Sequence, residues 1–136
     1  MLFNRNSDAI KEITDFKSIN LRFSGMRIIE EYEIINNGDK AEISYYHIVF
    51  DGDKDKRELQ KSAVCDVREV IDVLNECRAE KWNGFHGKHP KGVLDGRMFT
   101  FEATVNGSDK IHADGSENFP KNFKKFEEWL KNKLYD

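Results

Sequence analysis

The chain has 136 residues, 35% of them charged and 38% hydrophobic. That length sets a default of one domain, 1–136, with room for a core that needs neither disulfides nor a structural metal. Its 10 Phe, 4 Tyr and 2 Trp exclude a solvated disordered chain, and its 2 Pro and 9 Gly exclude a collagen-like or linker protein. Twenty-two basic residues against 25 acidic ones give a net charge of −3 with no charged tail, which speaks against a dedicated nucleic-acid binder.

The first stretch, MLFNRNSDAIKEITDFK, lacks the apolar block and small-residue cleavage site of a signal peptide. No run reaches the roughly 18 apolar residues of a membrane span. The expectation is a cytoplasmic protein with no membrane association. Ser7 is a candidate cap for a short helix over 7–17, with Ile10, Ile13 and Phe16 repeating every three residues.

From Ile19 the period changes to two. Ile19, Leu21 and Phe23 alternate with Asn20, Arg22 and Ser24, and Gly25 ends the run. A second strand is predicted over 26–35, with Ile28, Tyr32 and Ile34 on one face and Ile29, Glu31, Glu33 and Ile35 on the other. Asn36-Asn37-Gly38-Asp39 reads as a hairpin turn, because Asn and Gly accept positive φ at low cost. Residues 41–50 follow as a long strand, 51–56 as a charged turn, and 57–65 as a weaker strand.

Asp66, with Glu69 three residues on, reads as a capping box opening a helix over 66–82. Its stripe is Val67, Val70, Ile71, Leu74 and Cys77, and Asn83-Gly84 supplies the stop. Residues 83–96 are Gly-rich and irregular. Phe99, Phe101, Ala103 and Val105 then alternate with polar residues, Asn106-Gly107 turns the chain, and Ile111 and Ala113 mark a return strand. Pro120 suits the first turn of a last helix over 120–134, whose inward side is Phe123, Phe126, Leu130 and Leu134. The predicted class is therefore α+β, an antiparallel sheet of five to six strands with the two main helices (66–82, 120–134) packed on one face. Cys65 and Cys77 fall roughly 15 Å apart if a helix separates them, so both are expected to be free thiols in a reducing compartment.

Candidate chemistry is sparse. Asp51-x-Asp53-x-Asp55 starts like a calcium loop, but the positions needing Gly and a bidentate Glu hold Lys56 and Ser62. His86 and His89 would need a third ligand, such as Asp95 or His112, to make a zinc site. Cys65 precedes a helix start but has no evident base. There is no Gly-x-Ser-x-Gly elbow, no Walker A motif and no Gly-x-Gly-x-x-Gly after a strand. No metal and no cofactor is therefore expected, and the reading leans away from an enzyme.

Two charged regions remain as binding candidates. The first is the loop of Trp82, His86, Lys88, His89, Lys91 and Arg97, basic and aromatic, suited to an acidic partner or a stacked ring. The second is the acidic pair Glu31 and Glu33, which share a strand face and would either steer a basic partner or guard a sheet edge against strand addition. A subunit of a larger assembly would instead show an apolar patch around Tyr45, Tyr46 or Trp129. The leading expectation is a protein-binding or interaction module, inhibitor- or immunity-like. The alternative is a small enzyme or metal-dependent protein using the His86–Arg97 loop.

Residues 80–136 also carry a distinctive order: Trp82-Asn-Gly-Phe85, Val93-Leu-Asp-Gly96, Phe99-x-Phe101, Asn106-Gly107, then Gly115-Ser-Glu-Asn-Phe-Pro120 before the last helix. This resembles a pattern in small uncharacterised bacterial proteins, where a DG strand, a short return strand and a Gly/Asn/Pro turn precede a final helix. The resemblance implies a shared fold signature and brings no activity with it.

Overall fold

The period-two alternation of the first strand begins earlier than Ile19. In the computed structural model, which describes residues 10–25, 28–93 and 96–135, β1 runs Phe16–Ser24. A register shift against its neighbour between Phe16 and Ser18 lets Phe16 and Ile19 both face the core. The helix expected over 7–17 is not formed in its described part. Residues 7–9 lie outside the described residues, and 10–15 are irregular. The backbone there is satisfied by distant side chains rather than by helical bonds. Asn75 accepts from Ile13 N–H at 3.0 Å and donates to Ile13 C=O at 2.8 Å. Asn106 accepts from Thr14 N–H at 2.8 Å and donates to Glu12 C=O at 3.2 Å. Ile13 is thereby pinned into the core.

β2 (Ile29–Asn36), β3 (Lys40–Asp51) and β4 (Lys54–Asp66) continue a meander. Residues 26 and 27 of the expected second strand lie outside the described residues. The charged turn shrinks to Gly52-Asp53, and β4 is longer than the pattern suggested. After α1 (Val67–Glu76), β6 (Met98–Val105) and β7 (Asp109–Ser116) form a hairpin, and α2 (Phe123–Tyr135) closes the chain. A two-residue β5 (His86–Gly87) lies within the stretch expected to be irregular. Among the described residues the sheet has seven strands in the order β4-β3-β2-β1-β6-β7-β5, rather than five or six. Every pairing is antiparallel except β5 with β7.

The first helix ends, and the second begins, differently from expectation. Glu69 accepts from Asp66 N–H at 3.1 Å, the capping-box contact. The helix then stops at Glu76 because Arg78 turns left-handed at φ 54°, and Ala79–Trp82 is a 3-10 turn. That turn drives Trp82 into the core, where its ring meets Phe101 at 5.1 Å. Pro120 lies before the last helix rather than in its first turn, since Asn122, at φ 69°, interposes a turn.

The alternating residues give the sheet two unlike faces. Ile19, Leu21, Phe23, Tyr32, Ile34, Ile43, Phe99, Phe101 and Ile111 share one buried cluster with Leu74, Phe123, Phe126 and Leu130 of the helices. Ring contacts such as Phe23–Phe123 and Phe101–Phe126, at 6.1 and 5.8 Å, tie helix to sheet. Among the described residues the other face carries no helix. Both cysteines are free and buried. Among the described residues no helix is long and apolar enough to cross a membrane.

Candidate functional site

The register of the sheet turns its open face into a grid. One row carries Ser18, Thr104 and Lys110; the next Glu33, Asn20, Glu102 and His112; the next Tyr46, Glu31, Arg22, Thr100 and Asp114; the last Ile48, Ile29, Ser24, Met98 and Ser116. These are the out-facing partners of the core residues, fixed by period two. At one end of the grid lies a cleft of about 720 Å³, lined by Arg22, Met98, Asp114 and Ser116 together with His86 and His89. A second hollow of about 510 Å³, lined by Asn20, Glu33, Glu102 and His112, continues along the same face.

The loop after the 3-10 turn supplies the cleft wall. Gly84 N–H donates to His112 C=O at 2.8 Å, and Asp114 N–H donates to Phe85 C=O at 3.0 Å. Asn83 accepts from His112 N–H at 2.9 Å. These bonds draw the segment alongside β7 and set His86 beside Asp114. The approach needs glycines: a Cβ on Gly87 or Gly115 would fall on the Asn118 carbonyl oxygen. The motif residues Asn83, Gly115 and Asn118 thus fasten this loop to the sheet.

Asp114 is the hub. His86 Nδ1 binds one of its oxygens in a short contact, and His112 Nε2 lies 2.9 Å from the other. His112 Nδ1 faces Glu102 at 3.5 Å. Ionised carboxylates only accept, so a ring serving both must carry both protons. Accordingly the Asp114 bond, with Glu102 assisting against burial, raises the His112 pKa above the ordinary histidine value. Hydrogen bonds from His112 and His86 hold Asp114 below the usual carboxylate range. His89 Nε2 is bonded to Val93 C=O and its Nδ1 lies 2.7 Å from Ser116 Oγ. The carbonyl only accepts, so Nε2 carries a proton, and Nδ1 shares a hydrogen bond with the Ser116 hydroxyl.

On the other side of the grid Arg57 bridges Glu31 at 3.0 Å and Glu33 at 3.2 Å and lies 3.8 Å over the Tyr46 ring. Asp55, at the start of β4, reaches Arg22 of β1 at 3.6 Å, so the β3–β4 hairpin arm curls over the open face.

The expected site residues therefore divide. His86, Lys88 and His89 line the cleft, and Lys91 is exposed on the same loop. Trp82 does not join them: it is buried and donates from Nε1 to Lys121 C=O at 2.9 Å. Arg97 points to the helix side, where it pairs with Glu127. Glu31 and Glu33 do share the open face, where the single Arg57 guanidinium bridges both and leaves one net negative charge. Their strand β2 lies inside the sheet, so they guard no edge. The apolar patch considered around Tyr45, Tyr46 and Trp129 is not there. Tyr45 is buried, Tyr46 lies under Arg57, and Trp129 stacks on Phe126 at 6.1 Å.

Asp114, Ser116 and Arg22 were not singled out from the sequence. The available signal was the alternation itself, which puts Arg22 on the side of β1 opposite Leu21 and Phe23. The histidines do not converge as ligands. His86 and His112 both turn to Asp114, and His89 turns to Ser116. Among the described residues no group of three or more His, Cys, Asp or Glu is placed to hold a metal. Asp95, considered as a further ligand, lies outside the described residues. Cys65 does not suit a nucleophile, since burial and then Glu69 push its thiol pKa up.

Comparisons with protein-family models, curated proteins and solved structures returned no match.

Proposed function

We propose that the chain is a binding module that holds a protein partner on the open face of its sheet, in the manner of a small inhibitor or immunity protein. The observation that carries this reading is the asymmetry of the sheet. Both helices pack on one face, while the other presents mainly Ser, Thr, Asn, Glu, Arg and His on β2, β1, β6 and β7, bordered by Ile29, Met98 and the β3 residues Tyr46 and Ile48. At ~4.8 Å per strand and ~3.4 Å per residue the grid measures roughly 19 by 20 Å. That is about half of the ~800 Å² each partner buries in a standard interface. The curled hairpin arm and the loop 88–93 extend it.

Charges of both signs are set in fixed rows on this face. Arg22 shares its row with Glu31 and Asp114; Glu33, Glu102 and His112 form the next, Lys110 lies beyond them, and Lys88 lines the cleft. A pattern of this kind fixes the orientation of a complementary partner and raises its association rate. The carboxylates favour a protein over nucleic acid, whose phosphates they would repel. Two free thiols fit a cytoplasmic setting.

Capture of tagged protein from its native host tests the reading. A stoichiometric partner that dissociates as salt rises, survives Glu128→Lys on exposed α2, and is lost in Glu33→Lys with Glu102→Lys supports it. A partner lost equally from the α2 variant, or a chain that emerges alone, overturns it.

The Ser116–His89 pair favours a second reading, a small enzyme using the His86–Arg97 loop. A hydroxyl hydrogen-bonded to a histidine ring nitrogen, with the other ring nitrogen held by a carbonyl, is the geometry from which a base can activate a nucleophile. Its test is a turnover activity abolished by both His89→Ala and Ser116→Ala.

A further inference from the structure

Arg22 occupies the centre of the open face, yet its neighbours' charges are spent elsewhere. Glu31, beside it on β2, is taken by Arg57 at 3.0 Å. Asp114, two strands away in the same row, is taken by His86 and His112. The Arg22 ion pair is with Asp55, at a long 3.6 Å through Nη2. Its Nε–H is buried with no acceptor. A buried donor left unmade is costly, and in a native structure it calls for an explanation. The wall beside it is apolar, formed by Ile29, Met98 and Phe99.

We propose that this cleft binds a carboxylate carried on an apolar stem, Arg22 exchanging Asp55 for the ligand. A guanidinium offers Nε and one Nη as parallel donors, and a carboxylate accepts both with its two oxygens. Asp55 engages only Nη2. Turning the fork outward gives both donors an acceptor and releases Asp55 to the Lys54 and Lys56 that flank it in sequence. One carboxylate matches the single charge released, whereas a dianionic phosphate would sit beside Asp114. Ile29 and Met98 receive the stem. The inference uses the same open face as the reading above but does not require the partner to be a protein. The carboxylate belongs either to the end or an acidic side chain of a protein, or to a free organic acid.

The test uses the full chain, the arginine Nε–Hε NMR signals and butanoate as the probe. The Arg22 signal and the Met98 methyl are expected to shift saturably. Arg68, paired with Asp72 on α1, is the internal control and stays. Asp55→Asn should tighten binding several-fold, and Arg22→Gln should remove the Met98 shift while the rest of the spectrum persists. A hexapeptide ending in leucine, with a free or an amidated end, separates the sources. Tighter binding of the free-ended peptide than of butanoate assigns the carboxylate to a protein, and equal binding assigns it to a small acid. The inference is overturned by an Arg22 shift that tracks Arg68 without saturating, by unchanged affinity in Asp55→Asn, or by inorganic phosphate binding more tightly than butanoate. None of these results touches the capture experiment, which reads Glu33 and Glu102.

Discussion

Arg97 and Glu127 meet at 2.6 Å between the loop before β6 and the middle of α2. The guanidinium also lies 3.9 Å over the Phe23 ring. Glu127 is buried, and burial alone would raise its pKa. The Arg97 hydrogen bond and charge, with Lys131 adding, outweigh that and hold it below the usual carboxylate value. A residue whose neighbours in sequence suggest a loop cation is therefore a strut joining strand entry, core ring and helix.

Removing that strut leaves a buried carboxylate with Lys131 alone at 3.4 Å. Arg97→Met should destabilise the protein by about 3 kcal/mol, the low end of the ~3–5 expected when one partner of a buried pair is lost. Urea denaturation measures it. Because the folded pKa of Glu127 is depressed, its contribution is present above the unfolded carboxylate value and fades as pH falls through the folded one. The gap between wild type and variant should narrow on acidification.

The Asp114 hub gives a second pH signature. His112 is raised, so its contribution is complete below the unfolded value of about 6.5 and is lost as pH rises through the folded pKa. Asp114 is depressed, so its contribution is present above about 3.9 and is lost as pH falls through the folded pKa. Both are complete together only between those limits. In an NMR titration the His112 ring should show a midpoint above that of a model histidine, and Asp114→Asn should bring it down.

Much of the fold was legible because period two is a strong signal. Ile19 to Phe23 and Phe99 to Val105 each named the face they bury, and Asn-Gly turns at 37–38 and 106–107 joined neighbouring strands. The stretch before β1 misled because Ile10, Ile13 and Phe16 fit a helical spacing. What decides its shape is Asn75 and Asn106, which are 62 and 92 residues from the backbone groups they bind. β5 is two residues long, too short for any periodicity. Of the site, the loop histidines were visible as residues. Asp114, the partner that organises His86 and His112, was hidden in a strand of mixed polarity. Trp82 and Arg97 looked like binding residues because composition does not say which way a loop side chain turns.

Phe126 anchors α2. It is fully buried, edge-on to Phe101 at 5.8 Å and to Trp82 at 6.0 Å. Phe126→Ala should cost about 3–5 kcal/mol, read from the denaturation midpoint at unchanged slope.

The cleft wall depends on the absence of a side chain at Gly115. An added Cβ would meet Phe99 Cε1 at 2.9 Å as well as the Asn118 carbonyl. Gly115→Ala should cost about 1–3 kcal/mol and push β5 off β7. Amide exchange at Asp114, whose N–H donates to Phe85, should accelerate more than exchange at Leu21 in the middle of the sheet.

The central claim, that the open face is the docking surface, is tested most directly by hydroxyl-radical footprinting of the chain alone and in its captured complex. Met98 is half-exposed on the open face, and Tyr135 is more exposed still on α2. Docking on the open face predicts that Met98 loses reactivity on capture while Tyr135 keeps it. Protection of Tyr135 with Met98 unchanged would contradict the account.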